Sequence, residues 1–101
     1  MTTIQIFFAP RELNVYNAGL PKMVAQMFAS GAYTEKSEIF EVNGSGKNAA
    51  EEVFDLTNNP GRQDEREEIY GRGRSLSVGD IVVMGQSAAW LCMPNGWLRL
   101  L

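Results

Sequence analysis

The sequence predicts an α+β domain, a mainly antiparallel sheet with two helices on one face, in the chain order β-α-β-α-β-β-β. Three observations point there. The last third holds three apolar runs, 81–84, 88–93 and 97–101, divided by Gly85-Gln86-Ser87 and Pro94-Asn95-Gly96. Strands joined by such short polar breaks form an antiparallel meander. Near the start, residues 3–8 set Ile4, Ile6 and Phe8 against Gln5 and Phe7, the alternation of a strand. Between these regions lie two stretches whose apolar residues recur at helical spacing.

The elements follow in order. Ala9-Pro10 stops the first strand, and a polar connection runs to Gly19. Leu20, Val24, Met27 and Phe28 mark a first helix, with Pro21 suited to its opening turn and Gly31 to its C-terminal cap. Residues 38–43, with Ile39, Phe40 and Val42, read as a second strand, and Asn43-Gly44-Ser45-Gly46 as a turn. Asn48 and Glu51 have the spacing of a capping box, opening a helix that turns Ala49, Val53 and Leu56 inward and Glu52 and Asp55 to water. Asn58-Asn59-Pro60-Gly61 ends it, because the residue before proline is driven out of helical geometry. Residues 61–74 form a charged connection with one helical turn at Ile69 and Tyr70. Gly79-Asp80 turns the chain into the first strand of the meander, and Pro-Asn-Gly is placed for a tight hairpin.

A chain of 101 residues is expected to be one domain, 1–101, burying roughly 65% of its extended surface. Its 45% hydrophobic content supports a core, and its modest net charge of −3 argues against disorder. No apolar run approaches the ~18–20 residues that span a bilayer, and residues 1–6 lack the basic-then-apolar order of a signal peptide. One cysteine, Cys92, fits a reducing compartment. The expectation is a small, soluble, cytoplasmic protein without membrane attachment.

Composition removes several chemistries. There is no histidine, so Ser-His and Cys-His nucleophile pairs and the commonest metal ligand are missing together. Cys92 lies within an apolar strand, where a thiol behaves as a small buried hydrophobe, and one thiol cannot build a zinc site. No catalytic residue, metal or cofactor is expected. Glu51, Glu52, Asp55, Glu67 and Glu68 have no apolar walls beside them and read as a solvated face. Gly44-Ser45-Gly46-Lys47 follows a strand and precedes a helix, but the phosphate-loop pattern needs a glycine where Glu41 stands and a hydroxyl where Asn48 stands. Arg62, Arg66, Arg72, Arg74 and Tyr70 invite a nucleic-acid reading. Opposing it, span 35–68 carries ten acids against four bases, a net of −6. Overall acidity also falls short of what mimicry of nucleic acid requires.

The most ordered stretch is Gly71-Arg72-Gly73-Arg74-Ser75-Leu76-Ser77-Val78-Gly79-Asp80. Ser75, Ser77 and Asp80 have local structural work, satisfying amides around a turn. Arg72 and Arg74, set between glycines, have no such duty. Arginine forks recognise carboxylate or phosphate, and glycine permits close approach of a partner, although pairing with nearby acids is the simpler outcome.

Glu52-Val53-Phe54-Asp55-Leu56-Thr57-Asn58-Asn59-Pro60, the run from Tyr70 to Val83, Trp90-Leu91-Cys92 and Asn95-Gly96-Trp97 resemble the YodL-like domain family over residues 49–101. That family has a helix ending in Phe and Asn, a polar gap, an Arg/His-Ser-Leu/Met-Ser-Val-Ser/Gly-Asp-Val-Ile/Val core and a hairpin closing in Gly-Phe or Gly-Trp. Gly79 departs where many members carry serine, as does Cys92 where tyrosine-and-acid pairs are common. Residues 1–48 lie outside the resemblance. It implies a setting of phages, plasmids and integrated elements, often beside antirestriction modules, and carries over no catalytic residue. The expected function is non-enzymatic: binding and modulating a host protein, with counter-defence as one role. The partner-binding surface expected is Arg72, Arg74, Ser75, Ser77, Asp80 and the exposed part of Trp97. The alternative is nucleic-acid binding or regulation through the Arg72/Arg74 edge. The final strand, 97–101, leaves open a monomer or a homodimer paired through a sheet edge.

Overall fold

The structure is a computed structural model that describes residues 1–16, 18–85 and 88–101. The break expected at Gln86-Ser87 therefore lies outside the described residues, as does Asn17 of the polar connection. The described strands are β1 (Thr2–Phe7), β2 (Phe40–Val42), β3 (Ile81–Met84), β4 (Ala88–Met93) and β5 (Gly96–Arg99). They form a five-stranded sheet in the order β2-β1-β3-β4-β5, with every neighbouring pair antiparallel. The helices are α1 (Leu20–Ala29), α2 (Gly46–Asn58) and α3 (Gln63–Ile69), with a 3₁₀ turn at Pro60–Arg62 before α3. The α+β class, the antiparallel sheet and the C-terminal meander agree with the sequence reading.

The two main helices do not share a face, contrary to expectation. α2 packs Ala49, Ala50, Val53 and Leu56 against Ile4, Ile6, Phe8, Val82 and Met84. α1 packs Leu20 and Val24 against Ile81, Ala89 and Leu91, with Phe7, Phe28 and Val83 joining that cluster. Adjacent residues of a strand point to opposite faces, so Ile81 and Val82 serve different layers. The sheet is the middle layer of a sandwich because β3 and β4 are apolar on both sides and each side needs cover.

Local chemistry explains most boundaries. α1 opens with proline in its first turn. It closes in a Schellman motif: Gly31 at φ +82° donates to Phe28 O at 3.2 Å, and Ala32 donates to Met27 O at 2.9 Å. Asn59 is extended (ψ 112°) ahead of Pro60, and α2 stops there as predicted. The Asn48/Glu51 capping box does not form. Gly44 and Gly46, at φ +93° and +53°, turn the chain into α2 three residues earlier, with Ser45 at the N-cap. The charged connection holds more helix than one turn: Asn59 Oδ1 accepts the Gly61 N–H at 2.9 Å to start the 3₁₀ turn, and Asp64 and Glu65 stand in the first turn of α3.

The second strand is also shorter than residues 38–43. Lys36 bridges to Phe7, and Ser37 N–H donates to Ile6 O at 2.8 Å. The chain then swings out before β2 pairs with Thr2, Thr3 and Ile4, which leaves Ile39 exposed. Phe8 N–H donates to Glu35 O at 2.9 Å, so this outer segment delivers Glu35 beside the exit of β1. Among the described residues no helix is long and apolar enough to cross a membrane.

Candidate functional site

The loop between α3 and β3 is tied down from both ends. At the α2 end, Arg66 Nη1 donates to Thr57 O at 2.7 Å and to Ser75 Oγ at 3.2 Å, while Nη2 donates to Gly73 O at 2.6 Å. Ser75 Oγ donates to Thr57 O at 2.7 Å, Leu76 N–H donates to buried Thr57 Oγ1 at 3.1 Å, and Asn58 Nδ2 donates to Leu76 O at 2.9 Å. The two bonds to Thr57 O satisfy one of the carbonyls left open at the end of α2. Tyr70 packs edge-on against Phe40, with ring centroids 5.0 Å apart, and its hydroxyl donates to Arg74 O at 2.6 Å. A Cβ on Gly73 would stand 2.6 Å from that hydroxyl, so any larger residue would push Tyr70 out of this position.

At the sheet end the knot is Asp80, buried to 1% exposure. Its Oδ1 accepts the Ala9 N–H at 2.7 Å, and its Oδ2 accepts the Ser77 N–H at 2.8 Å and the Ser77 hydroxyl at 3.4 Å. Burial pushes this carboxyl above its ordinary range, while the two N–H bonds and nearby Arg74 pull the other way. Gly79 N–H donates to Cys92 O and Cys92 N–H to Asp80 O, extending the β3–β4 ladder past β3. Tyr33, raised by burial and then by the Asp80 charge, donates its hydroxyl to Gly79 O at 2.7 Å. Gly79 sits at φ +94°, and a Cβ there would be 2.9 Å from Val15 Cγ1. Glycine is what this packing demands.

Arg74 crosses the outside of this knot. Its guanidinium stacks on the Phe8 ring, 4.6 Å from the centroid, and half the side chain is exposed. The nearest carboxylates are Glu35 at 3.7 Å and Asp80 at 4.0 Å, beyond hydrogen-bond range. Arg62 is the contrast. It donates to Glu52, Asp55 and Glu65 at 2.8–3.1 Å, which saturates its fork. Arg66 is likewise occupied, by Thr57 O of α2 and by Gly73 O and Ser75 Oγ of the loop. Among the described residues, the Arg74 fork donates no hydrogen bond, and Arg72 is exposed with neither hydrogen bond nor ion pair. Beside Arg74 opens a cavity of about 300 Å³ between residues 8–11 and the segment carrying Thr34 and Glu35.

The expected surface thus divides. Arg74, Ser77 and Asp80 meet at the exit of β1, but Asp80 is buried and Ser77 is bound to it. Ser75 belongs to the α2 anchor. Trp97 is elsewhere: the row Phe8, Asp80, Cys92, Trp97 crosses β1, β3, β4 and β5, which puts it roughly 14 Å from Phe8 at the usual strand spacing. It packs on the α2 cluster and, with Phe54, Cys92 and Pro94, lines a separate cavity of about 250 Å³. Cys92 is buried, its thiol pushed up to about 11 by burial and by Asp80. Among the described residues no group of three metal-ligating side chains could hold an ion. Phe8, Arg11 and Glu35 complete the Arg74 site, and none of them was expected there.

No family model, curated protein or solved structure matches this chain.

Proposed function

We propose that this is a non-enzymatic binding protein of the YodL-like kind, belonging to a phage, plasmid or integrated element and modulating a host protein in the cytoplasm. The carrying observation is Arg74: a guanidinium lying over a buried ring, half open to solvent, with no hydrogen bond from its donors to any described residue. A fork held in place before binding loses little freedom when a partner arrives, which favours recognition. The exposed Arg72 beside it widens the same edge.

Affinity capture from a host lysate tests this reading. A partner recovered by wild type and lost with Arg72→Ala/Arg74→Ala supports it, and equal recovery removes the edge from the interface. Nucleic-acid binding through these arginines is the weaker reading. Phosphate contacts must be several to give useful affinity, and here Glu35 and Asp80 lie within 4.0 Å of the Arg74 guanidinium. A mobility shift at low salt that fades steeply as salt rises would reverse this preference.

A further inference from the structure

Building on the reading that the Arg74 edge binds a protein partner, we infer that the cavity beside it is a carboxylate-recognition site that takes one acidic side chain of that partner. The cavity, about 300 Å³, lies between the exit of β1 and the segment that follows α1. That is at the small end of ligand-site volumes and suits a single Asp or Glu side chain. Two arginines line it, Arg74 and Arg11. Arg11 is exposed and makes no hydrogen bond or ion pair with any described residue.

Arg74 is preorganised for a carboxylate. Its guanidinium lies over the Phe8 ring, 4.6 Å from the centroid, and the Tyr70 hydroxyl holds its backbone carbonyl. With its Cζ over the ring and no hydrogen bond to a described residue, the fork keeps its N–H donors for a carboxylate, which arginine can bind through two parallel N–H···O bonds. Neither neighbouring acid supplies that pair. Asp80 has both oxygens committed to the Ala9 and Ser77 amides. Glu35 is 66% exposed and reaches Arg74 through one contact at 3.7 Å, so an incoming carboxylate displaces little.

The same two acids select the charge of the occupant. On the lining, Arg74 and Arg11 stand against Glu35, a net of +1, with buried Asp80 within 4.0 Å of Arg74 behind it. A phosphate carries about −1.5 to −2 near neutral pH, more than this lining offsets, and would meet Glu35 on the rim with Asp80 close behind Arg74. A carboxylate carries one charge and takes the place of Glu35.

The test is a titration with N-acetyl-glutamate N-methylamide, following the Nε–Hε resonances of Arg74 and Arg11 by NMR. We expect saturable shifts with a dissociation constant in the millimolar range, as befits one exposed ion pair. The glutamine analogue should cause none, and inorganic phosphate at alkaline pH should bind at least fivefold more weakly. Arg74→Gln should abolish the response, and Arg74→Lys, which keeps the charge without the fork, should weaken it. Glu35→Gln should tighten carboxylate binding about threefold by removing the competitor, a gain that misfolding cannot imitate. Phosphate binding as tightly as carboxylate, or no tightening in Glu35→Gln, overturns the inference. So does failure to saturate in wild type, even where lysate capture depends on Arg74. Saturable carboxylate binding with capture indifferent to Arg74 keeps the site and discards the partner reading.

Discussion

Asp80→Ala is the substitution that most directly tests how the structure is held. The carboxylate joins two distant parts of the chain, accepting the Ala9 N–H at 2.7 Å and the Ser77 N–H at 2.8 Å. Alanine leaves both donors without a partner. A fully buried orphan costs about 1–3 kcal/mol, but Ala9 is half-buried and Ser77 exposed, so water recovers part of it. About 1–1.5 kcal/mol per donor, or roughly 2–3 kcal/mol in total, is the working figure. Against a stability of about 5–15 kcal/mol that is a large fraction, and at this chain length it lowers Tm by about 10–20 °C. Urea titration followed by circular dichroism at neutral pH measures it, with Ser77→Ala as control. That control removes only the long 3.4 Å hydroxyl contact and should cost under about 0.5 kcal/mol. A loss below about 1 kcal/mol for Asp80→Ala, or equal losses for the two variants, would refute the assignment of Asp80 as the tie between β1 and the loop.

Asp80 also carries a signed pH effect. Its folded pKa is raised, so beside the two N–H bonds it has a pH-linked part that is complete below the unfolded value of about 3.9 and is lost as pH rises through the folded value. Asp80→Asn should flatten that part of the stability profile, and an unchanged slope contradicts it. Glu65 has the opposite sign, since Arg62 holds its carboxyl below the ordinary range. Its contribution is present above the unfolded value and lost as pH falls through the folded one, so Arg62→Ala should shift acid unfolding to higher pH. Gly79→Ala should cost about 2–4 kcal/mol, from left-handed strain plus overpacking against Val15 and Leu13. Gly31→Ala, left-handed but with open space around it, should cost only about 1–2 kcal/mol; equal costs in denaturant titrations would contradict the packing argument. With its thiol near 11 and buried, Cys92 should alkylate at mildly alkaline pH about a hundredfold more slowly in the native protein than in urea. Similar rates would show that β4 opens freely.

Much of the local structure was legible because its causes are local. Pro21 with Gly31 bracketed α1, Pro60 stopped α2, and Pro94-Asn95-Gly96 closed the β4–β5 hairpin as its residue types require. The uninterrupted apolar run Ile81-Val82-Val83-Met84 also carried a signal that the two-helices-on-one-face expectation passed over. A strand without alternation has two faces to bury. For the site, Arg74 was legible as a cation without a local duty, whereas the hydroxyls of Ser75 and Ser77, expected to satisfy amides, donate to Thr57 O and to Asp80. Glu35 and Phe8 were not legible. They lie 39 and 66 residues away in sequence and arrive through β1 pairing and one irregular outer segment.

By itself, then, the sequence determined an α+β chain with an antiparallel meander, a glycine-punctuated loop entering β3, and no histidine with which to build the common nucleophile pairs. These follow from residue type and short-range spacing, through dihedral preference and hydrophobic period. The tertiary structure alone decided that the helices cover opposite faces and that Trp97 stands apart from the arginines. It also decided that Asp80 disappears into a knot while Arg74 remains open above it. Which arginine is saturated depends on which carboxylates the fold brings within about 3 Å: Arg62 meets three, and Arg74 meets none at that range.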